Sequence, residues 1–587
     1  MIEPLEPLAL VRTVLAFALP IAGLAWTAWA AGRTLLAALG LEVEDELERV
    51  ALASILGLAV LAHALLALGL LAMLRPWPVV ALVALVHGVA IRKGVPLAFT
   101  RPGFRRAAVG VVVALPFLVP ALYPDTGFDS RMYHLPYVHA FARTGRLSFL
   151  PDLRFPIFPQ ASEVLSTALV LSGSEPSASG TGLLAVALAA ALLVAWGRRA
   201  FPSWPAAGLV AAAIFLGSPL IGYLATVLYV DPLLGLFSTA ALLAAERFRA
   251  GRDRRWLVLA AALAASAADV KYLGLYTVAV TGLALATRRP RHLALYALVA
   301  LAVLAPWYGR IVAATGNPVF PFLPSVFGEN AWTPVPELPA TLAARLVNAV
   351  RMPFDLAFAR ERWNRMPPLS PVFALAVPLV VLASFRSRRI AGWAAVIGVF
   401  VGIYQWLPKS AAYTAMGLPL ASLTVAGSIA TLGDARLAGR SRGALVAAAL
   451  CLAPGWLYGL YTAARNGSLT VTAAARERYL DSKLPLHAAV RWLNDRHGAD
   501  YTVWAVNAEH MTDFARGRFL GDSNGRAELR ERVERIRTFA EQREYLLGLG
   551  ADHLLVPAGA EAAGPGGAAP TPPLYRDRHA AIYELRG

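Results

Sequence analysis

The chain has 587 residues, 57% of them hydrophobic and 16% charged, with a formal net charge of +17. Soluble domains carry about 25% charged residues, so the composition excludes an ordinary soluble protein and describes a polytopic membrane protein. The basic excess invites a nucleic-acid partner, but the arginines lie in short clusters between apolar runs, where they orient membrane spans. No nucleic-acid partner is expected.

In chain order, apolar runs fall at 8–31, 51–74, 79–91, 107–123, 181–196, 206–225, 232–245, 256–268, 272–286, 293–308, 371–385, 391–406, 414–432 and 444–461. A helix needs about 20 apolar residues to cross a bilayer, and backbone in lipid must satisfy its own hydrogen bonds. We therefore expect fourteen helical spans. The first is long and lacks a basic leading region, so it does not read as a cleavable signal peptide. The one cysteine, Cys451, lies within the last run and excludes an internal disulfide framework or a cysteine-based zinc site.

Arginine clusters set the orientation. Arg92, Arg101, Arg105 and Arg106, with Lys93, precede the fourth span, and Arg198 and Arg199 follow the fifth. Arg247 to Arg255, Arg288 to Arg291, Arg386 to Arg389 and Arg436 to Arg442 follow alternate later spans. The positive-inside rule makes this side cytoplasmic. The Glu42–Glu48 cluster reads as a solvated turn there.

Segments 124–180, 309–370 and the tail after Tyr461 then face outward. The first two hold Trp, Phe, Tyr and Leu at helical spacing, which predicts amphipathic helices at the membrane surface. The tail predicts a small exoplasmic α/β domain. Its expected elements are helices at 486–496 and 526–549, strands at 501–506, 553–557 and 580–585, and a Gly/Ala/Pro loop at 558–573. The expected division is 1–106 as extra N-terminal transmembrane helices, 107–465 as the transmembrane core, and 466–587 as the soluble domain. No internal repeat is apparent.

The first outer segment carries the densest polar pattern, with Asp125, Asp129, Arg131, Tyr133 and His134 directly after a span. Asp129 suits the N-cap of a helix starting at Ser130; a chemical role for it is the alternative. The chain has four lysines, and Lys271 and Lys409 both fall at expected outer ends of spans. A charge beside lipid is costly and often functional. This makes both lysines candidates for binding a lipid phosphate, with Arg131 behind them, and the alternative is snorkelling anchors. His134 and His139, five residues apart, do not share a helical face well and make a poor metal pair. Tyr133 and Trp307 could stack on a sugar or sit in the aromatic belt.

These motifs, in order, resemble a known family. The run Phe128-Asp129 through Tyr133-His134-Leu135-Pro136 and Phe141-Ala142-Arg143-Thr144-Gly145 resembles the first outer loop of GT-C-fold glycosyltransferases. More narrowly it resembles the bacterial relatives of protein O-mannosyltransferases and aminoarabinose lipid A transferases. The proline-led 155–173 stretch, Tyr229-Val230-Asp231-Pro232, the small-residue helix ending at Lys271-Tyr272, Pro306-Trp307 and Gly316-Asn317-Pro318 fit the same order. The resemblance covers roughly 107–432 and the outer tail. It departs at Lys409-Ser410-Ala411-Ala412-Tyr413, where the family often has an Arg-Tyr pair, and at Asp269, unusual in an apolar helix.

The resemblance implies a GT-C-like transmembrane enzyme of the bacterial inner membrane, its tail domain periplasmic. It would transfer a hexosyl or pentosyl unit, with inversion, from a polyprenyl-phosphate donor to an exoplasmic acceptor in cell-envelope glycoconjugate synthesis. It implies Asp129 as base, with Asp125 and Asp231 positioning the acceptor or a metal. A divalent cation, Mg or Mn, is possible, held by Asp129 and Asp231 if used. Tyr133, His134, Asp231, Lys271 and Lys409 would contact substrate. The rival readings are a transporter or lipid flippase, which fourteen spans would suit, and a non-catalytic scaffold.

Overall fold

The computed structural model describes residues 7–96, 104–285, 290–333, 341–433, 441–521, 538–559 and 572–586, together with scattered positions between 525 and 536. The expected basic positions Arg101, Arg288, Arg289, Arg436 and Arg440, most of the 558–573 loop and most of the first half of the 526–549 helix lie outside these residues.

Each of the fourteen apolar runs is helical over most of its described residues. By length and composition, five helices among the described residues can cross a membrane: Pro7–Ala38, Glu46–Leu70, Glu175–Ala200, Pro290–Thr315 and Arg442–Asn466. The remaining apolar helices are shorter. Seventeen residues, as in Pro76–Arg92, reach about 26 Å at 1.5 Å per residue, just under a core of about 30 Å. The expected span 206–225 is not one rod: Ala207–Leu216 and Pro219–Thr226 meet at 67°. Gly217 and Ser218 separate them, and Pro219 cannot donate the hydrogen bond that would continue the first helix.

The first two helices touch backbone to backbone. A Cβ on Gly32 would fall 1.7 Å from the Ala53 carbonyl oxygen, and one on Gly57 1.6 Å from that of Ala28. Small residues allow this approach where apolar burial gives no net drive between helices in lipid.

The helix Asp231–Gly251 runs through the core and separates two polar ends. At its C-terminal end the basic loops gather. Glu48 is buried and bonds both Arg199 and Arg247, the latter at 2.7 Å, and Arg389 donates to the Ala200 carbonyl at 2.6 Å. Glu48 is therefore no solvated turn residue; it is the shared counter-ion that ties three segments together.

Of the first outer segment, Leu135–Thr144 packs against Ala161–Ser172, and the second helix is buried along nearly its whole length. The expected surface helix here is an interior one. The second segment keeps the expected form: Leu342–Phe358 exposes Leu342, Leu346, Val350, Phe354 and Phe358 every fourth residue while burying Met352 and Leu356. Such an exposed apolar stripe suits a helix lying in the bilayer interface.

The tail is the expected small α/β unit. Its strands are β1 (Thr502–Ala505), β2 (Arg518–Gly521), β3 (His553–Pro557), β4 (Tyr575–Arg576) and β5 (Ala580–Glu584), in the order β2-β1-β3-β5-β4. β1 pairs in parallel with β2 and β3, and β5 is antiparallel to β3 and β4. β2 and β4 escape the sequence reading: β2 has only Phe519 and Leu520 as an apolar pair between Arg518 and Gly521, and β4 has two residues, so neither shows a run or an alternation. The helix Ala473–Lys483, capped by the Thr472 hydroxyl, was also not foreseen.

Candidate functional site at the outer face

The three residues after the bent helix pair reach the first outer segment. There the Leu228 N–H donates to Asp125 at 2.6 Å, and the Asp129 N–H donates to the Tyr229 hydroxyl at 3.3 Å. The break in the helix therefore positions the loop on which the polar residues sit.

Asp125 is occupied within the fold. Its carboxylate accepts from the Gly127 N–H at 2.7 Å, the Ser130 hydroxyl at 2.5 Å and Leu228. It lies at the edge of the site as a clamp on the loop, with little capacity left for the expected substrate or metal contact. Arg131 is corrected in the same way. It is buried, with Nε on the Asp125 carbonyl at 2.6 Å, one guanidinium nitrogen on Asp513 at 2.6 Å and the other on Glu175 at 2.7 Å, above the Phe514 ring. Its three bonds go to the loop backbone, the tail domain and a neighbouring turn, and Arg131 does not line the cavity described below. His134 is likewise buried, its Nδ1 2.7 Å from Glu163, while His139 Nδ1 bonds Asp513.

Asp129 differs from all of these. It does not cap: its φ and ψ of −65° and −33° are already helical, and no capping bond forms. An N-cap needs extended backbone to turn its oxygen toward the next N–H groups. Instead the chain passes through a π-helical turn, Ser130–His134, and the Asp129 side chain faces a cavity of about 1050 Å³. Among the described residues no hydrogen-bond donor reaches its carboxylate. Burial pushes that carboxyl above the ordinary aspartate range, against the pull of the Lys271 ammonium and of His134, with Asp231 adding to the rise.

Lys271 ends the helix Arg254–Val270 and reaches Asp231 at 3.2 Å, with its ammonium 4.7 Å from the centre of the Tyr413 ring. Burial favours its neutral form, but Asp231, Tyr413 and Asp129 outweigh that and hold it charged. Asp231, the second acid expected at a metal, already carries this ammonium. Among the described residues no group of three His, Cys, Asp or Glu side chains is placed to hold an ion.

Lys409 and Tyr133 line the cavity with Asp129, as do Tyr229 and Tyr413. Tyr133 packs edge-on against Phe155 and Phe158. Trp307 lies elsewhere, wholly buried beside His63, so it is neither at a sugar site nor in an aromatic belt. Asp269 sits near it, buried, with His63 at 3.5 Å. Asn317 of the Gly-Asn-Pro stretch closes its own turn, bonding the Phe322 carbonyl and the Val319 N–H.

The sequence reading missed Arg154, Arg360, Arg365 and Arg465, all of which line the same cavity, and gave no role to Lys483, one of the four lysines, which lines it too. They lie in four separate stretches. The only signal was their occurrence in outer segments rather than in the basic inner loops.

The chain resembles known proteins in two ways. Residues 157–309 match the family model for dolichyl-phosphate-mannose-protein mannosyltransferase. The fold matches the crystal structure of ArnT from Cupriavidus metallidurans in the apo state, at a TM-score of 0.53 and 14% identity, covering 82% of this chain and 98% of that one. The same enzyme bound to undecaprenyl phosphate gives 0.53 and 14%, with coverage of 83% and 98%. The archaeal oligosaccharyltransferase AglB from Archaeoglobus fulgidus, in complex with an inhibitory peptide and a dolichol-phosphate, scores 0.48 at 11% identity over 79% and 71%. No curated protein sequence matches significantly. The GT-C resemblance drawn from the motifs is thus found again, as a family match over the middle of the chain and as a fold over most of it. The protein is a multi-pass membrane protein with a GT-C-like core and a small α/β tail.

Proposed function

We propose that this chain transfers a sugar from a polyprenyl-phosphate carrier to an acceptor hydroxyl at the exoplasmic face of the bacterial inner membrane. The single observation that supports this best is the open Asp129 carboxylate facing a large cation-lined cavity, with a buried lysine–aspartate pair close by. The family match and the bound undecaprenyl phosphate of the fold relative point the same way.

Asp129 takes the proton of the acceptor hydroxyl as the oxygen attacks the anomeric carbon. The bond from that carbon to the carrier phosphate breaks on the opposite face, so configuration inverts. Raised by burial, the carboxyl is a stronger base than a free aspartate. Lys409, Arg154 and the Lys271 ammonium stabilise the charge gathering on the departing phosphate. Tyr133 and Tyr413 offer flat faces to the sugar. Asp231 keeps Lys271 charged and fixed rather than touching substrate itself.

The transport reading would be favoured by matching broken helices in two halves. One bent pair occurs among the described residues, and it serves to deliver Leu228 and Tyr229 to the Asp129 loop. The test is transfer from undecaprenyl-phosphate-linked sugars by the purified protein in nanodiscs. Removing a general base costs about 10²–10⁴-fold, so Asp129→Asn is expected to lose activity on that order while melting like the wild type. Equal rates for the two proteins would overturn the assignment.

A further inference from the structure

The cavity holds more positive charge than a lipid-phosphate sugar requires. Among the described residues six cations line it, against two carboxylates, one of which is the internally bonded Asp125. A polyprenyl phosphodiester brings a single negative charge.

The cations also divide in space. Arg154 acts on both Asp129 and Tyr413, which places it on the Asp129 side of the cavity. Arg360 and Arg465 both act on Tyr458, and Lys483 Nζ donates to the Arg465 carbonyl at 3.2 Å, so these three form a separate group. They come from the second outer segment, the end of the last long helix and the tail-domain helix Ala473–Lys483. Arg365 joins them from a turn in which Asn364 and Arg365 both have positive φ, 58° and 51°. Two such non-glycine residues in succession are uncommon. None of these four cations makes an ion pair with a described carboxylate. That contrasts with Arg131, Arg199 and Arg247, which all do. Unpaired like charges gathered on one wall repel one another, and the cost is recovered when an anion binds.

We infer that this outer wall is a second anion site, formed by Arg360, Arg365, Arg465 and Lys483, which holds a phosphate or carboxylate carried by the acceptor. The acceptor is then an acidic glycan or glycolipid rather than a neutral one. Because one wall of the site belongs to the tail domain, that domain takes part in acceptor selection. Assigning the anion to the acceptor rests on the transferase reading above; the anion site itself does not.

The same chemistry could be met by an anionic lipid headgroup, and the experiment separates the two sources. The full-length protein is placed in phosphatidylcholine nanodiscs and titrated with inorganic diphosphate and, separately, with undecaprenyl phosphate. The triple variant Arg360→Gln/Arg465→Gln/Lys483→Gln is expected to lose roughly tenfold or more in diphosphate affinity, since charge-assisted contacts are the strong ones. Its undecaprenyl phosphate affinity should stay close to wild type, which also shows that it has folded. Adding phosphatidylglycerol to the nanodiscs should leave diphosphate binding in place.

Three results would overturn the inference: unchanged diphosphate affinity in the variant, an equal loss of undecaprenyl phosphate, or displacement of diphosphate by phosphatidylglycerol. The last would make the wall a headgroup anchor. Diphosphate binding by a protein that moves no sugar would instead break the transferase reading and leave the anion site standing.

Discussion

The two ends of the helix Asp231–Gly251 carry comparable chemistry put to opposite use. At the inner end, Arg199 and Arg247 share the buried Glu48, and Arg389 lies beside Glu246. At the outer end, arginines and lysines surround a cavity with few acids, and the one open carboxylate, Asp129, has no bonded partner among the described residues. Charges that complete each other hold helices together. Charges left incomplete beside a cavity leave work for a ligand. The outer end also contains its own internal control: Arg131 and Asp125, a few residues from Asp129, are engaged by partners within the fold and belong to the first kind.

This contrast can be broken by substitution. The largest effect on stability is expected from Glu48→Ala, which strands two arginines at a buried site. Losing one partner of a buried ion pair costs about 3–5 kcal/mol. The thermal melting of the solubilised protein should fall sharply, whereas the affinity of the surviving folded fraction for undecaprenyl phosphate should not change. A variant that melts like wild type would mean that the inner cluster is as uncommitted as the outer one.

Arg131→Met should fall just below this. It leaves Asp513 and Glu175 without their buried counter-charge and should loosen the tail domain from the first outer segment. Faster hydrogen exchange across β1 and Ala473–Lys483, with the transmembrane helices unaffected, is the expected pattern. Exchange rising everywhere would show that Arg131 supports the whole fold rather than one contact.

Lys409→Gln is the converse case. It has no described carboxylate partner, so its removal should leave melting unchanged. Losing one charged contact to a phosphate is worth about 1.5–3 kcal/mol, and undecaprenyl phosphate affinity should drop accordingly.

The smallest effects are in pH. The Asp129 carboxyl is raised by burial, so as pH falls it gains its proton earlier than a free aspartate. Only the ionised form accepts the acceptor's proton, and kcat/KM should therefore decline on the acid side at a pH above the ordinary aspartate range. Lys271→Met removes the largest opposing pull and should move that decline to higher pH still. His139 behaves in the reverse sense. Burial lowers it, but Asp513 and Glu175 outweigh burial and leave it raised. Its contribution to tail docking is full below the ordinary histidine value and is lost as pH rises through the higher folded one. Limited proteolysis of the tail should accordingly quicken toward alkaline pH.

Much of this architecture was legible in the sequence. Apolar runs near twenty residues have one backbone solution in lipid, so all fourteen could be read as helix. β1, β3 and β5 were legible because a buried strand needs several apolar residues in a row. The bend at Gly217–Ser218 was not, since both halves are apolar and the continuous hydropathy hid the Gly-Ser-Pro break between them. Residue chemistry marked Asp129, Tyr133, Asp231, Lys271 and Lys409 as polar groups in costly places. The same signal also marked Asp125, Arg131 and His134, which the fold keeps for itself.

The sequence by itself determined that this chain crosses a membrane many times and keeps a cluster of ionisable residues at one face, because solvation costs act on each segment separately. Which of those residues satisfy one another and which face an open cavity was decided only by the tertiary structure. Pairing depends on distances between segments hundreds of residues apart: Arg131 meets Asp513, while the carboxylate of Asp129, two positions earlier, faces the cavity with no donor among the described residues.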